Sequence, residues 1–192
     1  VAEQHEFKVV VAGPFASGKS TLIRAISASA VVGTEQPTSG AEAATKATTT
    51  VGMEYGTYSI AEPDLTIDLN LYGVPGQTRF SFMWDIVADG MDGLVLLVDA
   101  TAPATWAEAA EVGRHFQERC DPPMVVGVNR AALDERRVQD VRGALDGLGA
   151  AVVGCDVTDH TSARTVLVEL LLLVMERLGD GDRLDDELTG AS

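Results

Sequence analysis

Residues 13 to 20 read Gly13-Pro14-Phe15-Ala16-Ser17-Gly18-Lys19-Ser20, preceded by the apolar run Phe7-Lys8-Val9-Val10-Val11-Ala12 and followed by Thr21-Leu22-Ile23-Arg24-Ala25-Ile26. The string fits G-x-x-x-x-G-K-[ST], and a strand before it with a helix after it is the context a phosphate-binding loop needs. Small residues let successive backbone N–H groups curl around a phosphate, and Lys19 supplies positive charge for the terminal phosphates. Ser20 offers a hydroxyl to Mg²⁺, while the helix that starts near Gly18 points its positive dipole end at the same anion. Gly13, Phe15, Ala16, Ser17, Gly18, Lys19, Ser20 and Thr21 are therefore the expected phosphate-side contacts, with Lys19 also assisting catalysis.

Outward from the loop, helix 1 is expected from Lys19 to about Ala30. A long Ala/Thr/Gly-rich stretch from Gly33 to Thr49 has no apolar periodicity and reads as a mobile, functional loop. Met53–Ile60 and Leu65–Tyr72 both alternate, and Glu62-Pro63-Asp64 between them predicts an antiparallel hairpin. Beyond it, helices and strands alternate. Helices are expected at Arg79–Ala88, Ala104–Arg119, Asp134–Leu148 and Ser162–Leu178. The continuous apolar runs Gly93–Asp99, Met124–Asn129 and Ala151–Asp156 read as strands covered on both faces. The expected fold is α/β, a doubly wound, mostly parallel six-stranded sheet with one antiparallel edge hairpin, flanked by helices, with ligands at the carboxyl ends of the strands. Residues 1–178 are expected to form one domain, and the acidic segment 179–192 a disordered tail.

Bulk properties agree with a globular chain of this kind. Its 192 residues are 46% hydrophobic and 22% charged, enough to bury a core without disulfides. A net charge of −15 argues against nucleic acid and anionic membrane surfaces, which demand a basic face. Val166–Leu178 is the most apolar stretch, but it is short and interrupted by Glu169, Glu176 and Arg177, so no direct membrane anchor is expected. Two cysteines, Cys120 and Cys155, and no secretory leader suggest a reduced, cytoplasmic protein with both thiols serving as packing residues.

Further features fall where such a sheet delivers residues to a nucleotide. Tyr72-Gly73-Val74-Pro75-Gly76-Gln77 ends the second hairpin strand. Gly76 there can present its N–H to a γ-phosphate, and Gln77 can orient an attacking water; a simple Pro-Gly turn is the competing explanation. Thr48-Thr49-Thr50 offers hydroxyls for Mg²⁺ at the end of the long loop. Together these segments describe a γ-phosphate sensor, ordered by the phosphate and relaxed after hydrolysis.

With these strings the chain resembles the small, Ras-like GTPases of the P-loop NTPase class over nearly all of residues 7 to 178. It looks most similar to bacterial members of the gliding-motility and conservon type. The resemblance rests on Gly13-Pro14-Phe15, on Thr48-Thr49-Thr50-Val51-Gly52-Met53, and on Leu71-Tyr72-Gly73-Val74-Pro75-Gly76-Gln77 with Arg79-Phe80 and Met83-Trp84-Asp85. It implies a cytoplasmic signalling switch that binds GTP and GDP with Mg²⁺, held by Ser20 and Thr50, with Thr49 as the other candidate. Gly76 and Gln77 would form the second switch, with Gln77 catalytic. Asn129 would begin the guanine-reading motif, Arg130 would lie along the base and ribose, and Cys155-Asp156-Val157 would face the guanine oxygen. Roadblock-type regulatory proteins would be the partners.

Departures from that pattern carry information too. Ala132 stands where the motif has an aspartate that accepts two hydrogen bonds from guanine; Asp134 either takes over that role or caps the next helix. Gly73 replaces an aspartate that holds a water on Mg²⁺, and Asp68 lies too early on the strand to substitute. Phe15 is bulky at a position often occupied by glycine and would crowd Gln77. Slow hydrolysis is expected. Arg79 reads either as an arginine finger or as a helix-start residue in a surface ion pair, and Trp84 beside the second switch either packs or faces a partner. A nucleotide-dependent scaffold without catalysis or strict guanine selectivity is the competing function. A P-loop kinase ranks below both because no Arg-rich lid is evident.

Overall fold

The computed structural model describes residues 3–27, 35–37, 48–50 and 52–189, with the backbone alone at 35–37, 48–50, 78 and 180–189. In chain order the elements are β1 (Glu3–Ala12), α1 (Lys19–Ile26), β2 (Glu35–Pro37), β3 (Thr48–Thr50), β4 (Glu54–Glu62) and β5 (Leu65–Gly73). There follow α2 (Phe82–Ala88), β6 (Gly93–Asp99), α3 (Trp106–Cys120), β7 (Met124–Asn129), α4 (Glu135–Ala144), β8 (Ala151–Cys155) and α5 (His160–Thr189).

Six strands form one sheet in the order β4-β5-β1-β6-β7-β8, in which only the β4–β5 pair is antiparallel. The alternation in β1 explains its central place. Val9 and Val11 join a core under α1 and α5 with Leu22, Ile23, Leu97 and Leu167. Val10 and Ala12 join the opposite core with Val87, Leu96, Phe116 and Val141 from α2, β6, α3 and α4. Every residue of β6 and β7 is buried, as their unbroken apolar runs require. Parallel register brings Val11 level with Gly73, and Asp99 level with Asn129, which in turn lies beside Cys155. The carboxyl ends of five strands thus meet along one rim, and the Gly13–Ser20 loop rises from its centre.

Several boundaries differ from those expected. Helix α1 stops at Ile26, where Ser27 turns extended. The expected helix over Asp134–Leu148 ends at Ala144 and gives way to a tight turn over Asp146–Leu148 that closes on Gly149 at φ +60°. Gly143, Gly147 and Gly149 weaken helix propagation there. Helix α5 runs from His160 to Thr189, beginning before and ending after the expected Ser162–Leu178. Most of the expected loop 33–49 lies outside the described residues, but Glu35–Pro37 and Thr48–Thr50 pair as a short antiparallel ribbon. Among the described residues no helix is long and apolar enough to cross a membrane.

Candidate nucleotide-binding site

The backbone of the loop follows conformations that its small residues permit. Gly13 sits at φ +139°, and a Cβ there would lie 2.1 Å from the Leu97 carbonyl oxygen. Gly18, at φ +109°, would drive a Cβ to 2.6 Å from Asn129 Nδ2. Both are positions only glycine fills without displacing backbone or a buried side chain. Ala16 adopts the left-handed region at φ +62°, and Ser17 N–H donates to the Pro14 carbonyl at 3.3 Å. Lys19 is buried and folds back over the loop, with Nζ donating to the carbonyls of Gly13 at 2.8 Å and Pro14 at 2.7 Å. Helix α1 then begins with no side-chain cap and no acid in its first turn, leaving its positive end for an anion. Ser20 is half-buried there and Thr21 is exposed. The Ser17 hydroxyl is buried with no hydrogen-bond partner among the described residues, as suits a loop built to meet a polar ligand.

The segment after β5 closes on this loop. Val74 N–H donates to the Val11 carbonyl at 3.1 Å, which fixes the chain as it leaves the sheet. A Cβ on Gly76 would fall 2.6 Å from the Pro14 carbonyl carbon, 2.7 Å from the Gly13 oxygen and 2.7 Å from Lys19 Nζ. Gly76 is therefore pressed against the Lys19 ammonium and the Gly13–Pro14 backbone. Gln77 beside it is 6% exposed. Trp84 packs rather than facing outward: it is buried and donates from Nε1 to the Pro75 carbonyl at 3.1 Å, edge-on against His115. Arg79 is exposed and lies over the Phe80 ring at 5.0 Å rather than in an ion pair among the described residues. Phe15 is half-buried. Thr49 and Thr50 end the short ribbon, and with their side chains outside the described residues their part in the site stays with the sequence.

On the other side, Asn129 organises the rim. Buried at 3% exposure, it donates from Nδ2 to the Ser17 carbonyl at 3.0 Å. Its Oδ1 accepts from Arg130 N–H at 2.9 Å and from Val157 N–H at 3.2 Å. One side chain thus joins the phosphate loop, the end of β7 and the loop after β8. Arg130, at φ +64°, turns its guanidinium onto the Asp99 carboxylate, which also accepts from Thr101 N–H at 2.8 Å and Thr101 Oγ1 at 2.7 Å. Trp106 Nε1 donates to the Asp99 carbonyl at 2.9 Å.

Asp134 is the helix cap. Its Oδ1 accepts from Arg137 N–H at 3.1 Å, and its Oδ2 pairs with Arg137 Nε at 3.1 Å. Ala132 is exposed in the same turn, so neither position offers a carboxylate to a base. Asp156 is occupied by Thr158, whose N–H at 2.9 Å and hydroxyl at 2.6 Å reach one carboxylate oxygen and hold its pKa below the ordinary range. Cys155 is buried, and desolvation, reinforced by the negative charge of Asp156, pushes its thiol up to about 12. Cys120, expected to pack, is exposed at the end of α3 instead. Asp68 is bound to Ser59 at 2.5 Å and Gln4 at 2.9 Å, away from the rim.

Residues 29–149, more than half of the chain, match the family described as conserved hypothetical ATP binding protein. The chain belongs to this family. Nucleotide binding is thereby its coarse function. The matched span of this ATP-binding family begins after the phosphate loop and includes Gly76, Gln77, Asn129 and Arg130.

Two features have no counterpart in the sequence reading: Glu54 and Asp99 are buried carboxylates at the rim. Asp99 closes an apolar strand where a charge has no packing role, which is a usable signal. Glu54 looked like one polar residue in an alternating strand, and nothing local marks it as buried.

Proposed function

We propose that the chain is a Mg²⁺-dependent nucleotide switch of the Ras-like type, akin to the bacterial gliding-motility and conservon members, that binds GTP and GDP and hydrolyses GTP slowly. The observation that carries this reading is the close approach of Gly76 to Lys19 Nζ and to the Gly13 and Pro14 backbone. A segment so placed must respond to whatever occupies the phosphate loop. Residues 13–21 hold the phosphates, Asn129, Arg130 and residues 155–157 shape the base side, and residues 1–178 act as one nucleotide-binding unit.

A divalent cation here would be held by Ser20 and Thr50 together with phosphate oxygens of the nucleotide. Bound there, Mg²⁺ would neutralise charge on the β- and γ-phosphates. Gln77 orients water for attack on the γ-phosphate, and Lys19 stabilises the charge that develops. Phe15 narrows the space beside Gln77 and keeps unaided turnover slow. Regulatory proteins of the Roadblock type dock on the switch segments, in the cytoplasm.

A second reading is favoured by the capping role of Asp134 and by Ala132. With no carboxylate for guanine, selectivity for GTP over ATP is weak, and the chain acts as a nucleotide-dependent scaffold. Titrating the purified chain with GTP, GDP, ATP and ADP in Mg²⁺, with phosphate release followed in parallel, separates the two. Tight GTP binding with slow release supports the switch; equal ATP binding without turnover supports the scaffold. Failure to bind any of the four rejects both.

A further inference from the structure

Strand β4 opens on Glu54, a carboxylate only 2% exposed. A buried charge needs close partners, yet Oε1 has no hydrogen-bond partner among the described residues and meets the half-exposed Arg24 Nη2 at 3.5 Å. Glu54 is the cross-strand partner of Gly73, and a Cβ on Gly73 would stand 3.3 Å from Glu54 Oε2 and 2.6 Å from Ile23 Cδ1. A side chain at position 73 would have to displace Ile23 Cδ1 and crowd Glu54, and β5 ends here on a glycine with no acid of its own. The neighbouring strand places one there instead. Arg24 stands four residues after Ser20 on α1, hence on the same helix face, and β4 packs closely on that face, where a Cβ on Gly56 would reach 2.0 Å from Ser27 Oγ.

We propose that Glu54 is the acid that serves the nucleotide's divalent cation in this chain, accepting hydrogen bonds from water on the ion in place of an acid at position 73. It is a positioning residue, since it acts through that water. This rests on the nucleotide-switch reading above. Arg24 pairs with the carboxylate through Nη2 at 3.5 Å from Oε1.

The test is the Mg²⁺ dependence of binding of a fluorescent GDP to the full chain, wild type and Glu54→Gln, with a parallel titration in EDTA. Glu54→Gln should raise the half-saturating Mg²⁺ concentration about 10-fold or more while EDTA affinity stays within about twofold. An unmoved midpoint, or equal losses with and without Mg²⁺, would show an ion pair that serves structure alone and overturn the proposal. If Glu54→Gln does not fold, Arg24→Gln decides. That variant keeps the carboxylate, so its midpoint should hold or fall, and a raised midpoint overturns the proposal. Wild-type protein that binds no nucleotide at saturating Mg²⁺ would sink the nucleotide reading together with this one; wild-type binding with an unmoved Glu54→Gln midpoint sinks this one alone.

Discussion

Asn129 Nδ2 donates to the carbonyl of Ser17 at 3.0 Å, so a residue at the carboxyl end of one strand fastens the loop that leaves another. Replacing it breaks this bond and orphans the N–H groups of Arg130 and Val157, which now donate to Asn129 Oδ1. Buried unsatisfied groups of this kind cost about 1–3 kcal/mol each before relaxation and water entry. Asn129→Ala should lower unfolding free energy by about 2–3 kcal/mol in denaturant titrations and weaken every nucleotide alike. A loss confined to guanine nucleotides at unchanged stability would mean that Asn129 reads the base and does not organise the rim.

Lys19 combines a bracing role with an electrostatic one. Its two bonds to the Gly13 and Pro14 carbonyls hold the loop, and its charge is the nearest cation to Gly76. Lys19→Ala should reduce nucleotide affinity by roughly 100-fold, as expected for loss of a charge-assisted contact of about 3 kcal/mol, in an equilibrium titration. Retention of wild-type affinity would remove the phosphate loop from the account.

Two positions of one turn, Ala132 and Asp134, test the base selectivity proposed above. Asp134 is engaged with Arg137, so Asp134→Ala should cost about 1 kcal/mol of stability as a lost cap and leave the GTP-to-ATP affinity ratio unchanged. Ala132→Asp adds the missing acceptor and should raise that ratio on the order of 10-fold or more, measured by competition. If Asp134→Ala alters the ratio, Asp134 is leaving its cap to meet the base.

Cys155 gives a pH signature. Burial raises its pKa from 9.0 in the reference state to about 12 in the folded chain. The unfolded chain therefore releases this proton first. Stability is unaffected below the unfolded value and falls as pH rises from about 9 towards 12, by at most about 1.4 kcal/mol per unit for one proton. Denaturant midpoints of wild type and Cys155→Ala should converge over that window. At pH 8, a thiol reagent should label the exposed Cys120 well before Cys155.

Much of this was legible in the residues, for reasons that differ by element. Gly93–Asp99 and Met124–Asn129 read as buried strands because a continuous apolar run fits only a sheet covered on both faces, and both bounds agree with the structure. The hairpin was readable from its alternation and its turn. Glycine spacing placed the loop, and Gly13 and Gly18 do stand where a side chain has no room. Asp134 could not be resolved from sequence, because an N-cap and a base acceptor demand the same residue type. Glu54 and Trp84 were obscure for a deeper reason: their partners, Gly73 with Arg24 and Pro75, are set by tertiary packing.

Hydrolysis isolates the role of Gln77. Gln77→Ala should slow phosphate release by about 10-fold or more with little change in GTP affinity, since orienting water contributes to the transition state and not to binding. An unchanged rate would assign the water to another group.

The response of the Val74–Phe80 segment to the third phosphate is the most direct measure of the switch. Amide hydrogen exchange should be followed with Mg²⁺ and either GDP or a non-hydrolysable GTP analogue. The account predicts that the Gly76 and Gln77 amides exchange on the order of 10-fold more slowly with the analogue, because Gly76 abuts Lys19, the residue proposed to meet the γ-phosphate. Equal exchange in the two states, with both nucleotides bound at saturation, would contradict it.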